Sequence, residues 1–273
     1  MEEMIKKAQS LFEPLERVNN ISATEFETRF GLPQKPAVLE GMSDKWAARK
    51  YWTLDSLDSK YGDNLVKVTR SSDESETMMS LNSYIHYIRT TDDAHPYYLK
   101  DWVFSDDFPS MRNDYEVLPH FENWLDNLPQ DLDPKFRWLY IGPKYSYSKL
   151  HLDILLTNAW NIIFEGRKLW LFFPPNGDVT MENTQFDQGF PEYRFPNVVG
   201  AEGYYAIQEP GEIMFTPGSW YHQVYNLEHT VALTENYVNH MNLDIVMQHL
   251  EETGNDSLMY LLNQLKSNLQ YSA

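Results

Sequence analysis

The spacing of apolar residues divides the chain into a mixed helix and strand stretch, a β-rich stretch and a helical tail. In the first, helix-period and strand-period segments alternate. Met4, Ala8, Leu11 and Leu15, with Ile5 and Phe12 beside them, form one stripe of a helix over residues 4–15 that Pro14 limits or kinks. Ser22 and Glu25 have capping-box spacing for a second short helix through about Arg29. Residues 36–41 read as a strand, Leu54 to Tyr61 as a helix ended by Gly62, and Val66 to Arg70 as another strand. The acidic run 71–76 reads as an exposed loop, after which Ser80 caps a helix carrying Leu81, Tyr84, Ile85 and Ile88.

The second stretch opens on a strand at 96–99, and residues 104–135 are rich in Asp, Pro and Asn, as suits loops over a barrel mouth. Arg137 to Ile141 begins the barrel, and the Gly142-Pro143 turn leads to a rim at 144–147. The densest β-formers follow: Leu150, Leu152, Ile154 and Leu155, then Trp160, Ile162, Ile163 and Phe164, closed by a turn at 165–167. Past Pro175 an irregular insert carrying Phe186, Phe190, Tyr193 and Phe195 runs to about Val199. Residues 211–226 form a hairpin-like unit turning at Pro217-Gly218, with its second strand starting near Trp220. The third stretch, to Tyr271, returns to helical spacing. Leu243, Val246 and Leu250, then Leu258, Leu261, Leu262 and Leu265, mark two helices separated near Gly254-Asn255 that cover the barrel's end or make a dimer.

Composition narrows the class. With 273 residues, 42% hydrophobic positions and eight tryptophans, the chain can fill a sizeable core, as one large barrel domain or two small ones. No stretch has the roughly 18 apolar residues of a membrane span, and the first residues, charged with both signs, do not read as a signal peptide. There is no cysteine for disulfides or thiolate metal sites, and a cytoplasmic location is the default. A net charge of −18 repels nucleic-acid backbones and favours a basic peptide or amine as partner.

Candidate chemistry sits in the β-rich stretch. On a strand, His151 and Asp153 share a face while Leu152 points away, which supplies one imidazole and one carboxylate of a facial triad for non-haem iron. The third ligand must come from elsewhere in the fold, and the best candidate is His222, just inside the second strand of the hairpin-like unit. Lys168 lies at the end of the next apolar run, where a lysine on a barrel's inner face is costly unless paired with an anion. Asn161 shares the inward face only if the register across 154–160 allows it. Trp160, Trp170 and Trp220 read as core fillers, and Tyr145, Tyr147 and Tyr221 as more exposed residues able to grip a substrate or simply form the rim.

Ser148-x-x-His151-x-Asp153, Ala159-Trp160-Asn161, Gly166-x-Lys168, Phe172-Phe173-Pro174-Pro175, Pro217-Gly218-x-Trp220-x-His222 and Thr234-x-Asn236 together closely resemble the JmjC and cupin-like 2-oxoglutarate oxygenases. Among them the chain is most similar to the small JmjC-only hydroxylases, the group around the JmjC lysyl hydroxylase and the asparaginyl hydroxylase that inhibits hypoxia-inducible factor. The likeness runs from about Pro36 to Asn239. Gly211, Pro217, His222 and Asn226 also fall at the spacing of the wider cupin superfamily's second motif, although Gly218 comes one position earlier than that motif expects.

The resemblance implies a mainly β fold with flanking helices: a double-stranded β-helix over 96–239, an N-terminal α/β extension over 1–95 packed on it, and C-terminal helices over 240–273 that dimerise. It implies Fe(II) on His151, Asp153 and His222, with 2-oxoglutarate and O2 as cosubstrates. Lys168 then takes the distal carboxylate of 2-oxoglutarate with help from Ser148. Asn161 and Asn236 bind its oxoacid end or orient an iron ligand, and Tyr98 reaches the same molecule. The expected reaction is hydroxylation of a protein or peptide side chain, favoured over demethylation because no zinc-finger or reader module is evident. Rival readings are hydroxylation of a small molecule, free amino acid or tRNA base, and a cupin that only binds.

Overall fold

The strand Asn158–Glu165 is buried along almost its whole length rather than on alternate residues. Such a run marks a strand covered on both faces. In the structure, a computed structural model describing residues 1–187 and 194–270, Ile162 and Phe164 pack outward against N-terminal helices while Asn161 faces the barrel interior. The expectations for Phe190, Tyr193 and Tyr271 lie outside the described residues.

Eight strands form the barrel as two antiparallel sheets of four. One sheet has the order Ile213–Thr216, Asn158–Glu165, Thr230–Tyr237, Arg137–Gly142, and the other Tyr204–Gln208, Lys168–Phe173, Tyr221–Asn226, Tyr147–His151. Every connection along the barrel changes sheet except that from Phe173 to Tyr204, which makes the double-stranded β-helix. N-terminal strands widen the barrel sheets. Ala37–Glu40 pairs with Ile213–Thr216, Tyr97–Trp102 pairs with Arg137–Gly142, and Leu65–Arg70 and Glu76–Ser80 continue outward. Helices Leu54–Tyr61 and Leu81–Thr90 bury Leu57, Leu81, Tyr84, Ile85 and Ile88 against the larger sheet. Helix Glu2–Leu11 buries Met4 and Ala8 against the outer face of the smaller one. Among the described residues no helix is long and apolar enough to cross a membrane.

Several local expectations are corrected. The first helix stops at Leu11, because Pro14 disfavours helical backbone at the residue before it. Pro14 instead pairs with Tyr205 in a two-residue strand, and Leu15 turns inward beside Trp170 and Trp220. The acidic loop is a tight turn with Ser71 buried at 2% exposure, and Glu76 already belongs to the next strand. Ser80 precedes its helix without a side-chain cap, its hydroxyl bonding Asn82 and Ser83 instead. The strand expected through Ile154 and Leu155 is a 3-10 turn, Ile154–Leu156. The segments on either side of Pro217-Gly218 lie in opposite sheets, so they form a crossover and not a hairpin. Tyr147 is buried, packed against Tyr225, and is no rim residue.

The helices Leu243–Thr253 and Asp256–Gln270 are separated by Gly254, whose φ of 68° suits a residue without Cβ. They pack on each other, on the Ile154–Leu156 turn and on the Trp124–Asn127 turn at one end of the barrel. Their apolar residues Val246, Leu250 and Leu262 are fully buried there.

Candidate active site

Inside the barrel, cross-strand pairing sets the depth of each group. Across from Lys168–Phe173, strand Tyr221–Asn226 places His222 opposite Phe172 and Asn226 opposite Lys168. His222 also pairs with His151 on its other side. The two imidazoles therefore meet at one end, their centroids 4.2 Å apart, while Lys168 enters about 13 Å further along the strand, four residues of about 3.3 Å rise. Lys168 opens its strand rather than closing it.

Ser148 and His151 are three apart and should face opposite ways in a regular strand. A register shift puts Val224 opposite Ser148 and His222 opposite His151, so three steps on one strand match two on the other. This bulge brings both side chains to the cavity. Asp153 reaches the site differently from the expected strand alternation. The strand ends at His151, and Asp153 leads into the 3-10 turn. That turn also resets the parity of the following strand and sends Asn161 inward.

The ligand atoms of His151, Asp153 and His222 all lie within 4.8 Å of one another, the one group of this kind among the described residues. His151 Nδ1 lies 2.6 Å from the Lys149 carbonyl and His222 Nδ1 lies 3.0 Å from the Trp220 carbonyl. A carbonyl only accepts, so both Nδ1 atoms carry the hydrogen and both Nε2 lone pairs are left for a metal. The His222 ring also lies against Trp170 and Phe172, near-parallel to both. Burial pushes both imidazoles down to about 4, which keeps them neutral, and pushes the Asp153 carboxyl up to about 6. Asp153 Oδ2 is buried with no hydrogen-bond partner among the described residues. Two neutral imidazoles and a carboxylate in want of a partner fit an octahedral divalent ion such as Fe(II).

Lys168 is 2% exposed, and burial draws its ammonium down to about 7. Its Nζ is 3.3 Å from the Tyr98 hydroxyl and 5.6 Å from the centre of the Tyr140 ring, with no carboxylate in reach among the described residues. A buried cation without a counter-charge is a site for an anion. Ser148, Tyr98 and Asn161 line the same cavity. Asn161 Nδ2 donates to Thr234 Oγ1 at 2.7 Å, while its Oδ1 is unpaired. Asn236 lies behind the cavity wall, donating to Thr157 Oγ1 at 3.0 Å and lowering the Asp153 carboxyl against the larger effect of burial.

Tyr140 and Thr216 also line the cavity, beyond the residues that the sequence singles out. Tyr140 had a signal, since it alternates with Leu139 and Ile141, which pack outward. Thr216 had none beyond its place before Pro217. A second feature, Glu235, is buried on the other face of its strand with Arg112, Tyr115 and Arg137, away from the site.

Residues 23–243 match the cupin-like domain family. The chain is 34% identical over 249 residues to the lysine-specific demethylase JMJ21 of Arabidopsis thaliana, covering 85% of this chain and 26% of that protein. It is 32% identical over 248 residues to the bifunctional arginine demethylase and lysyl-hydroxylase psr-1 of Caenorhabditis elegans, covering 84% and 62%. The 2-oxoglutarate and iron-dependent oxygenase JMJD4 of Mus musculus is 30% identical over 268 residues, covering 86% and 62%. The chain thus spans between about a quarter and three-fifths of these relatives' lengths.

Proposed function

The chain belongs to the cupin-like domain family, and from that premise we propose that it is an Fe(II)- and 2-oxoglutarate-dependent oxygenase hydroxylating a side chain of a protein or peptide. The supporting observation is the pairing of a facial His, Asp, His cluster with a buried, uncompensated lysine deeper in the same cavity. Iron and 2-oxoglutarate supply the chemistry: the oxoacid and O2 are consumed to give succinate and CO2, and one oxygen atom enters a substrate C–H bond.

The protein's part is to bind and orient. His151, Asp153 and His222 hold the metal, with the two Nδ1–H bonds to backbone carbonyls fixing the rings. Lys168 takes the distal carboxylate of 2-oxoglutarate as a charge-assisted contact, with Tyr98 and Ser148 beside it. Asn161 contacts the cosubstrate by turning its amide over, so that Oδ1 accepts from the Thr234 hydroxyl and Nδ2 donates to an oxygen of the oxoacid, and Asn236 orients Asp153 through its amide. Tyr145 and Tyr221, expected to grip a substrate or form the rim, are half-buried against the Met4 and Phe12 cluster on the outer face of the smaller sheet and do not line the cavity. The names of the relatives include arginine and lysine demethylases and a lysyl-hydroxylase, and a basic side chain on a protein also suits a net charge of −18. We place the protein in the cytoplasm as a homodimer through its C-terminal helices, where Tyr260 is 64% exposed.

The names also favour a second reading, oxygen insertion at an N-methyl group, whose product loses formaldehyde and leaves the demethylated amine. One experiment separates the two. Purified protein with Fe(II), 2-oxoglutarate and ascorbate in air is offered Lys-, Arg-, Asn- and His-containing peptides with and without N-methyl groups. A one-oxygen mass gain matched by succinate supports hydroxylation, and loss of a methyl group supports demethylation. Succinate without any peptide dependence would move the substrate to small molecules, and no succinate despite bound iron would leave a binding protein.

A further inference from the structure

Two of the three candidate ligands are carried by strands, and the third is not. His151 ends one strand and His222 is the second residue of another. Asp153 instead precedes a turn in which Leu155 (φ 54°, ψ 23°) and Leu156 (φ 53°) are both in the left-handed region. That conformation is disfavoured for residues with a Cβ, and two bulky residues in succession are an outlier. Such backbone persists only where its surroundings over-determine it.

Three contacts do so. Thr157 ties the turn closed, its N–H and its Oγ1 both donating to the Ile154 carbonyl at 3.0 and 2.7 Å. Gly218 leaves room for the turn, since a Cβ there would come within 2.0 Å of the Leu156 carbonyl oxygen. The third contact comes from outside the barrel. Leu155 packs against the buried cluster that the C-terminal helices build from Val246, Leu250 and Leu262.

We propose that Leu155 is a positioning residue: the C-terminal helix pair, by gripping its side chain, holds the Asp153 carboxylate in line with the two histidines. The inference rests on His151, Asp153 and His222 being the metal ligands. It gives the helices a role within a single chain, independent of any dimer. When the grip is lost, the turn relaxes toward ordinary backbone and Asp153 moves off the metal while both imidazoles stay in place.

The test is Mn(II) affinity of the full chain, read by EPR and titration calorimetry, alongside thermal melting. Leu155→Ala is expected to weaken Mn(II) binding about tenfold or more, the range for groups that orient a ligand, while a cooperative melting transition persists. Leu155→Met, which keeps an apolar side chain of similar reach, should restore affinity to within about twofold. Leu155→Gly accepts the left-handed backbone without strain, and so should fold even if the alanine variant does not, yet with no side chain to grip it leaves the turn free and should bind Mn(II) more weakly than the wild type. Wild-type affinity in both the alanine and glycine variants would overturn the proposal. A wild-type chain whose Mn(II) binding is absent, or unchanged by His151→Ala, would instead overturn the ligand assignment beneath it.

Discussion

Lys168 and Tyr98 meet deep in the barrel, Nζ 3.3 Å from the phenol oxygen, with no carboxylate to share the charge among the described residues. An ammonium held this way is costly without an anion and favourable with one. Replacing it should therefore have opposite effects on the free and the bound protein. Lys168→Met is expected to raise the melting temperature of the protein without 2-oxoglutarate. The same change should weaken 2-oxoglutarate binding about 30-fold or more, the loss of roughly 2 kcal/mol or more seen on truncating one member of a buried charge pair. Calorimetric titration and thermal melting of the one variant check both signs.

The pH dependence follows from the same group. Burial places Lys168 at about 7 in the folded protein, against 10.5 ordinarily. A lysine whose folded value is lowered gives up its proton while the unfolded chain still holds one. The stability of the ligand-free protein should thus rise as pH goes from about 7 toward 10.5, and the full cost of the buried charge is present below about 7. Binding of 2-oxoglutarate needs the charged form, so its affinity should fall above pH 7, by up to about tenfold per unit. Lys168→Arg, which stays charged, should flatten that decline. Affinity that is pH-independent from 6 to 9 in the wild type would contradict the assignment.

Much of this was legible in the sequence, and the failures are local. His222 and Lys168 stand out because a polar group within an apolar run faces either water or a purpose, and their strands are covered on both faces. Asp153 reaches the site by a route that strand alternation does not predict. Strand alternation put it beside His151, but the chain leaves the strand there, and two left-handed leucines in sequence carry no local signal. The bulge that turns Ser148 inward is equally silent, since it depends on pairing with residues 222–224. The strands Tyr204–Gln208 and Glu76–Ser80 were missed because each gains its stability from a partner strand distant in sequence or across a turn, and not from its own pattern.

Gly218 sets the space for the turn after Asp153. In Gly218→Ala the added methyl meets backbone, the Leu156 carbonyl, and not the yielding end of a side chain. The variant should lose about 1–3 kcal/mol of stability, the usual cost of overpacking, and should lose Mn(II) affinity as well. Denaturant melts and metal titration of the purified variant check the two together.

Glu235 offers a control outside the site. Its carboxylate is 2% exposed, accepts from Tyr115 and Arg112, and lies 3.7 Å from Arg137. Burial raises its carboxyl and the two arginines pull it back. Glu235→Ala takes the carboxylate from half-exposed Arg112 and leaves Arg137 with Asp126 and Asp133, and should cost about 1–3 kcal/mol of stability. Below the melting transition its affinity for Mn(II) and 2-oxoglutarate should match the wild type, as measured by the same titrations.

The central claim is that one cavity binds metal through His151, Asp153 and His222 and turns over 2-oxoglutarate held by Lys168. The most direct measurement is CO2 release from 2-oxoglutarate labelled at its first carbon, in air, with and without Fe(II). The account predicts release that requires Fe(II), is abolished in His151→Ala and His222→Ala, and needs a far higher 2-oxoglutarate concentration in Lys168→Met. Iron bound by the wild type with no CO2 released, or release undiminished in His222→Ala, would contradict it.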